Sequence, residues 1–204
     1  PPASTDAASC ASPANNPGPS PSVQYYYSVP NGDSAGCTNL SDDFLFFRMR
    51  LEGDPSDGGN RAYKNYHWDV LIDIDGDGAK EFVVDLFGNQ NTIGVYWNDD
   101  ALTGDIYQDN DYDPDTDQVW EEEASATTND YTQVQASPCS AADVDDQYWL
   151  EFAIPVTAFD DTDGNQKLCA DTAFGLFFST SASNTDPLQK DWAGEFGFGA
   201  AELT

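Results

Sequence analysis

The chain has 204 residues, 39% of them apolar, with 37 Asp plus Glu against 7 Lys plus Arg and a formal net charge of −30. Such a balance excludes nucleic acid and disfavours an anionic membrane surface, because counterion release needs clustered Lys and Arg and none cluster here. The length suits a single domain that buries enough apolar area to fold by itself, and no apolar run is long enough to predict membrane insertion.

The acids are skewed, 29 Asp to 8 Glu, and most Asp fall in Gly-, Asn- and Pro-rich segments. Asp belongs in turns and at oxygen-rich ion sites. Self-repulsion of this size is relieved by cations or salt, so a calcium-containing or saline exterior is expected. The cysteines stand at 10, 37, 139 and 169 with no Cys-x-x-Cys and a single histidine. That spacing supports neither a zinc motif nor a thioredoxin-type redox motif, and favours two disulfides in an oxidising compartment. Three connectivities are open. Cys10–Cys37 with Cys139–Cys169 is the preferred one, since each bond would staple a loop-rich stretch. With no signal peptide, the chain reads as a mature secreted or cell-surface protein.

Residues 1–22, with six prolines and almost no large apolar side chain, read as an extended tail or linker, and residues 23–204 as one domain. A Cys10–Cys37 bond would pin the tail to that domain. A short strand is expected from Tyr25-Tyr26-Tyr27. Residues 44–51 alternate with period two, Leu45, Phe47, Met49 and Leu51 on one face and Phe44, Phe46, Arg48 and Arg50 on the other. Trp68, Val70, Ile72 and Ile74 form a second apolar face, and Phe82, Val84 and Leu86 a third.

Between these two lies Asp73-Ile74-Asp75-Gly76-Asp77-Gly78. Carboxylates at alternate positions converge on one hard cation, and glycine permits the bend this requires, so the segment reads as a calcium loop or as a solvated Asp-Gly turn. An EF-hand needs Glu at its twelfth position, where this chain has Val84, so the loop is placed on a strand connection. Glu81 and Asp85 are candidate additional ligands.

Ile93, Val95 and Trp97 supply a fourth face, and an antiparallel meander is the simplest topology. Residues 98–118 carry eight aspartates interrupted by Pro114, a stretch that either holds a second ion or repels itself into solvent. Short strands are expected at Val119 and Trp120 and over residues 131–135. Alternation returns at Tyr148, Leu150, Phe152 and Ile154, ended by Pro155, and again at Phe174, Leu176 and Phe178. Asp161 and Asp163, in the Asp-Gly turn between them, have partial ligand character. Trp192, Phe196 and Phe198 close the core. No segment has a sustained helical period, which predicts an all-β, jelly-roll-like antiparallel sandwich of two sheets with long acidic loops.

Residues 46–51, then Trp68-Asp69-Val70-Leu71-Ile72-Asp73 leading into the Asp loop, then Tyr148-Trp149-Leu150-Glu151-Phe152-Ala153-Ile154-Pro155, resemble secreted DOMON-like and family 9 carbohydrate-binding-like β-sandwich domains of microbial surface proteins. The resemblance spans about residues 40–180 and implies a β-sandwich whose relatives bind sugars, bind haem or other cofactors, or serve as passive modules. His67 and Met49, the sole His and Met, form no haem-ligand constellation, and His67 reads as a surface or internally satisfied side chain.

One imidazole without a nucleophile motif predicts no catalysis. Sugar binding needs outward aromatic faces, for which Tyr96, Tyr112, Trp120, Trp149 and Trp192 are candidates. Trp149 leads them, since its neighbours Tyr148 and Leu150 take the core face; its indole then points outward unless a loop or interface covers it. The leading expectation is a non-catalytic, calcium-stabilised extracellular surface or matrix protein. It would be a repeating subunit of a filament, sheath or layer, self-assembling through the N-terminal tail and sheet edges. A carbohydrate-binding module for a polysaccharide is the alternative.

Overall fold

In the computed structural model the described residues are 23–28, 36–51, 53–59, 61–76, 78, 80–97, 117–125, 131–136, 148–182 and 192–193. The proposed tail of residues 1–22, Cys10, Asp77, Tyr112, most of the acidic stretch, Cys139, Phe196 and Phe198 lie outside them.

Among the described residues, ten strands form two antiparallel sheets, the expected all-β sandwich. The four-stranded sheet takes β1 (Val23–Ser28), β2 (Phe44–Leu51), β8 (Tyr148–Pro155) and β7 (Thr132–Ala136), in the order β1-β2-β8-β7. The six-stranded sheet takes β3 (His67–Asp73), β4 (Phe82–Phe87), β5 (Thr92–Trp97), β6 (Gln118–Glu123), β9 (Gly175–Ser181) and β10 (Trp192–Ala193), in the order β10-β9-β3-β4-β5-β6. The meander holds for β3 to β6. The other sheet joins strands distant in sequence, β2 pairing with β8 so that Phe47 faces Phe152.

Alternation sets the interior. Leu45, Phe47, Met49 and Leu51 from β2 and Leu150, Phe152 and Ile154 from β8 are buried against Trp68, Val70 and Ile72 of β3 and Phe82, Val84 and Leu86 of β4. Each such side chain contributes about 1.5–3 kcal/mol by leaving water. Phe47 meets Phe178 across the sheets, ring centroids 6.2 Å apart. After β8, Pro155 leads into a single 3-10 turn, Val156–Ala158.

The second face of the six-stranded sheet is also withdrawn from solvent, so every residue of β3 is buried. Leu71, Val83 and Tyr96 form a separate apolar cluster there, joined by Phe177. An antiparallel sheet commonly leaves one face wet; this one leaves neither face of its centre so.

The disulfide expectation is corrected. Cys37 bonds Cys169, with Cα atoms 4.6 Å apart and a sequence separation of 132. Neither the Cys10–Cys37 nor the Cys139–Cys169 pairing therefore forms. The Ala170 N–H donates to the Gly36 carbonyl at 3.0 Å, and Leu40 and Leu168 are both core residues. The bond thus ties the β1–β2 connection to the β8–β9 connection, and Cys37 does not anchor a tail through Cys10.

Candidate metal centre and binding face

The β3–β4 connection is ordered by its own acids. Asp73 ends β3, and its Oδ1 accepts the Asp75 and Gly76 N–H groups at 3.3 and 2.7 Å while Oδ2 accepts the Gly78 N–H at 3.0 Å. Gly76 and Gly78 have φ of 84° and 99°, a region that side chains strain to reach. Glu81 enters from the far side, its Oε2 accepting the Ile74 N–H at 2.8 Å.

Asp73, Asp75 and Glu81 thereby bring ligand oxygens within 4.8 Å of one another. Burial, opposed by the amide hydrogen bonds and aided by the charges of Asp73 and Asp75, raises the Glu81 carboxyl to about 7. Lys80 donates to the Gly78 carbonyl at 2.6 Å. An oxygen-seeking cation would relieve the repulsion among the three acids, and calcium fits an all-oxygen set.

The remaining candidate ligands fall elsewhere. Asp85 stands directly opposite Asp69 on the β3–β4 ladder and groups with Asp69 and His67 on the second sheet face, not with the loop. Asp161 is held by Lys167 at 2.7 Å and by the Asp163 and Asn165 N–H groups at 3.0 and 2.8 Å. Those bonds, the Lys167 one foremost, hold its carboxyl well below the usual carboxylate range. Among the described residues, neither Asp161 nor Asp163 joins a group of three metal-ligating side chains.

Sequence reasoning missed the His67, Asp69 and Asp85 group. Its signal was a period-two set of polar residues, 67, 69 and 73, on a strand whose other face is apolar; that pattern ordinarily marks a solvated face.

The aromatic candidates are also redistributed. Trp149 lies on the outer face of β8 yet is 8% exposed, because the guanidinium groups of Arg48 and Arg50 stand 4.4 and 4.2 Å from its ring centroid. Tyr96 is buried, and Trp120 packs against the core and on Tyr131 at 5.2 Å. Trp192 is described through the backbone of β10 alone. None of the three whose surroundings are described is an open platform.

Among the described residues, the exposed large apolar side chains are instead Tyr25, Tyr26 and Phe46, at 47, 61 and 40%. The Tyr26 and Phe46 rings lie 6.2 Å apart. With Tyr131 they border a cleft of about 480 Å3 on the four-stranded sheet, which Arg48, Gln133 and Glu151 also line. Glu151 holds Arg48 in a 3.7 Å ion pair and accepts a hydrogen bond from Gln133.

Comparison with protein-family models, curated proteins and solved structures returns no match to this chain.

Proposed function

We propose that the chain is a non-catalytic, calcium-stabilised extracellular β-sandwich that assembles with copies of itself into a surface layer or filament. The observation carrying this reading is the character of the four-stranded sheet's edges. β1, Val-Gln-Tyr-Tyr-Tyr-Ser, has no charge, and two successive residues, Tyr25 and Tyr26, are exposed although they point to opposite faces. At the other edge β7, Thr-Gln-Val-Gln-Ala, is also uncharged. The six-stranded sheet differs, its β6 edge carrying exposed Glu121, Glu122 and Glu123.

Edges that must not pair are blunted by charge, and an uncharged edge is a template for another strand. β1 of one copy meeting β7 of the next would continue the sheet head to tail, a heterologous contact that repeats without closing. Tyr26 and Phe46 would supply the apolar area, and calcium would hold the hairpin of the opposite sheet against the repulsion of a chain this acidic. The resemblance to DOMON-like surface domains is compatible with this role.

Sedimentation of the full chain in calcium and concentrated salt tests it. Oligomers that grow with concentration are expected, and a Tyr26→Lys, Phe46→Lys double variant should sediment as a folded monomer. An unaltered chain that stays monomeric at the highest concentration removes the subunit reading. Sugar binding is the second reading, favoured by the cleft, where aromatic rings flank convergent polar groups. In that case a monomeric chain should be retained on an immobilised polysaccharide, and Phe46→Ala rather than Trp149→Ala should abolish retention.

A further inference from the structure

The second face of the six-stranded sheet carries chemistry that neither calcium nor assembly uses. Asp69 on β3 and Asp85 on β4 are register partners, and His67, two residues before Asp69, projects from the same face. His67 Nδ1 lies 2.8 Å from Asp85 Oδ2, and its ring stacks on Phe87 with centroids 4.2 Å apart, which fixes the imidazole plane. His67, Asp69 and Asp85 are 4, 1 and 2% exposed. Neither oxygen of Asp69 accepts a hydrogen bond from an N–H or hydroxyl group of a described residue, and its carboxyl instead faces that of Asp85.

The neighbours add oxygen atoms. Ser179, the register partner of Asp69 on β9, is buried, and its hydroxyl too has no hydrogen-bond partner among the described residues. Gly94, the partner of Asp85 on β5, leaves space into which Tyr96 folds; a Cβ at Gly94 would stand 2.7 Å from the Tyr96 hydroxyl.

One imidazole cannot neutralise two carboxylates. A buried carboxylate with neither oxygen satisfied is unfavourable unless a cation or a proton stands against it. We infer that His67, Asp69 and Asp85 bind one divalent transition-metal ion of the zinc or manganese class. A set of one nitrogen and two carboxylates suits such ions, whereas calcium takes oxygen ligands alone. The three ligand atoms lie within 4.8 Å of one another. Ligands about 2.1 Å from a common tetrahedral ion stand about 3.4 Å apart, so the widest pair closes by up to about 1.4 Å when the ion binds. Asp73 is four residues farther along β3, about 13 Å away, so the calcium loop and this site hold separate ions.

The chain has a single histidine, which makes the test direct. Because the group is buried, the full chain is unfolded with its disulfides intact, refolded with ZnCl2, MnCl2 or CaCl2, and passed over a chelating resin. Retention of about one zinc or manganese per chain is expected. Zinc should shift the imidazole 15N resonances and calcium should leave them in place. Asp69→Asn should weaken zinc binding by at least about 10–100-fold, the range known for groups that only support a ligand, while Asp75→Asn should bind as the unaltered chain does. No retained zinc or manganese, or zinc retained with the imidazole signals unmoved, overturns the inference; the second result would mark an ion held by surface acids. If Asp69→Asn does not fold, the imidazole signals of the unaltered chain decide alone.

Discussion

Serine at both Cys37 and Cys169 is expected to lower the unfolding free energy by roughly 4 kcal/mol, near the upper end for one disulfide. The bond closes a loop with a sequence separation of 132, so its loss frees a long stretch of chain in the unfolded ensemble. It also sits beside Leu40 and Leu168, whose packing holds the two connections together. Changing both cysteines leaves no stray thiol. Urea unfolding in calcium should show the midpoint falling by about 2 M at a slope of about 2 kcal/mol per molar. An unchanged midpoint, or a non-reduced peptide map without a Cys37–Cys169 crosslink, would contradict this topology.

The calcium-free protein is expected to lose about 2–3 kcal/mol of stability between pH 5 and pH 8 through Glu81 alone. Burial raises this carboxyl from 4.5 to about 7, with Asp73 and Asp75 adding to the shift. The folded state therefore holds more protons than the unfolded chain between those values, and stability falls as pH rises through that window. Ordinary carboxylates are already ionised there. With no ion at His67, Asp69 and Asp85, burial, and then Asp85, raise Asp69 well above its ordinary value, so in the metal-free chain Asp69 acts in the same sense. Glu81→Gln isolates the loop's share by flattening it. Calcium bound by the loop would favour the ionised form and remove the loss, so on the proposed reading calcium should stabilise more at pH 8 than at pH 5. Urea unfolding at the two pH values on resin-depleted protein reads both effects, and equal stability of the depleted chain at pH 5 and 8 would count against the loop chemistry.

The strands with one apolar face were legible because burial of one face enforces period two, as in residues 44–51 and 148–154. The turn after β3 was legible for a local reason: Asp73 bonds the backbone N–H groups of Gly76 and Gly78 within five residues. Long-range placement was not. Asp85 was grouped with the loop by nearness in sequence, but strand pairing sets it opposite Asp69, four residues up the ladder from Asp73. Trp149 does point outward as alternation requires, yet its register partner Arg50 covers it, a cross-strand pair that follows from β2–β8 pairing. The disulfide was misassigned because local stapling was assumed where the sheets bring residues 36–40 beside 168–172. His67, Asp69 and Asp73 are polar, and polarity read as exposure; both faces of this sheet are buried.

Scanning calorimetry with and without calcium at fixed ionic strength, paired with elemental analysis, tests the central claim that this sandwich is calcium-stabilised through Asp73, Asp75 and Glu81. At calcium about a hundredfold above its dissociation constant, the expected stabilisation of about 2.7 kcal/mol raises the melting temperature by about 5–10 °C in a chain of this size. The Asp75→Asn, Glu81→Gln chain should show no such rise. A melting temperature indifferent to calcium, together with no bound calcium in the unaltered chain, would contradict the account.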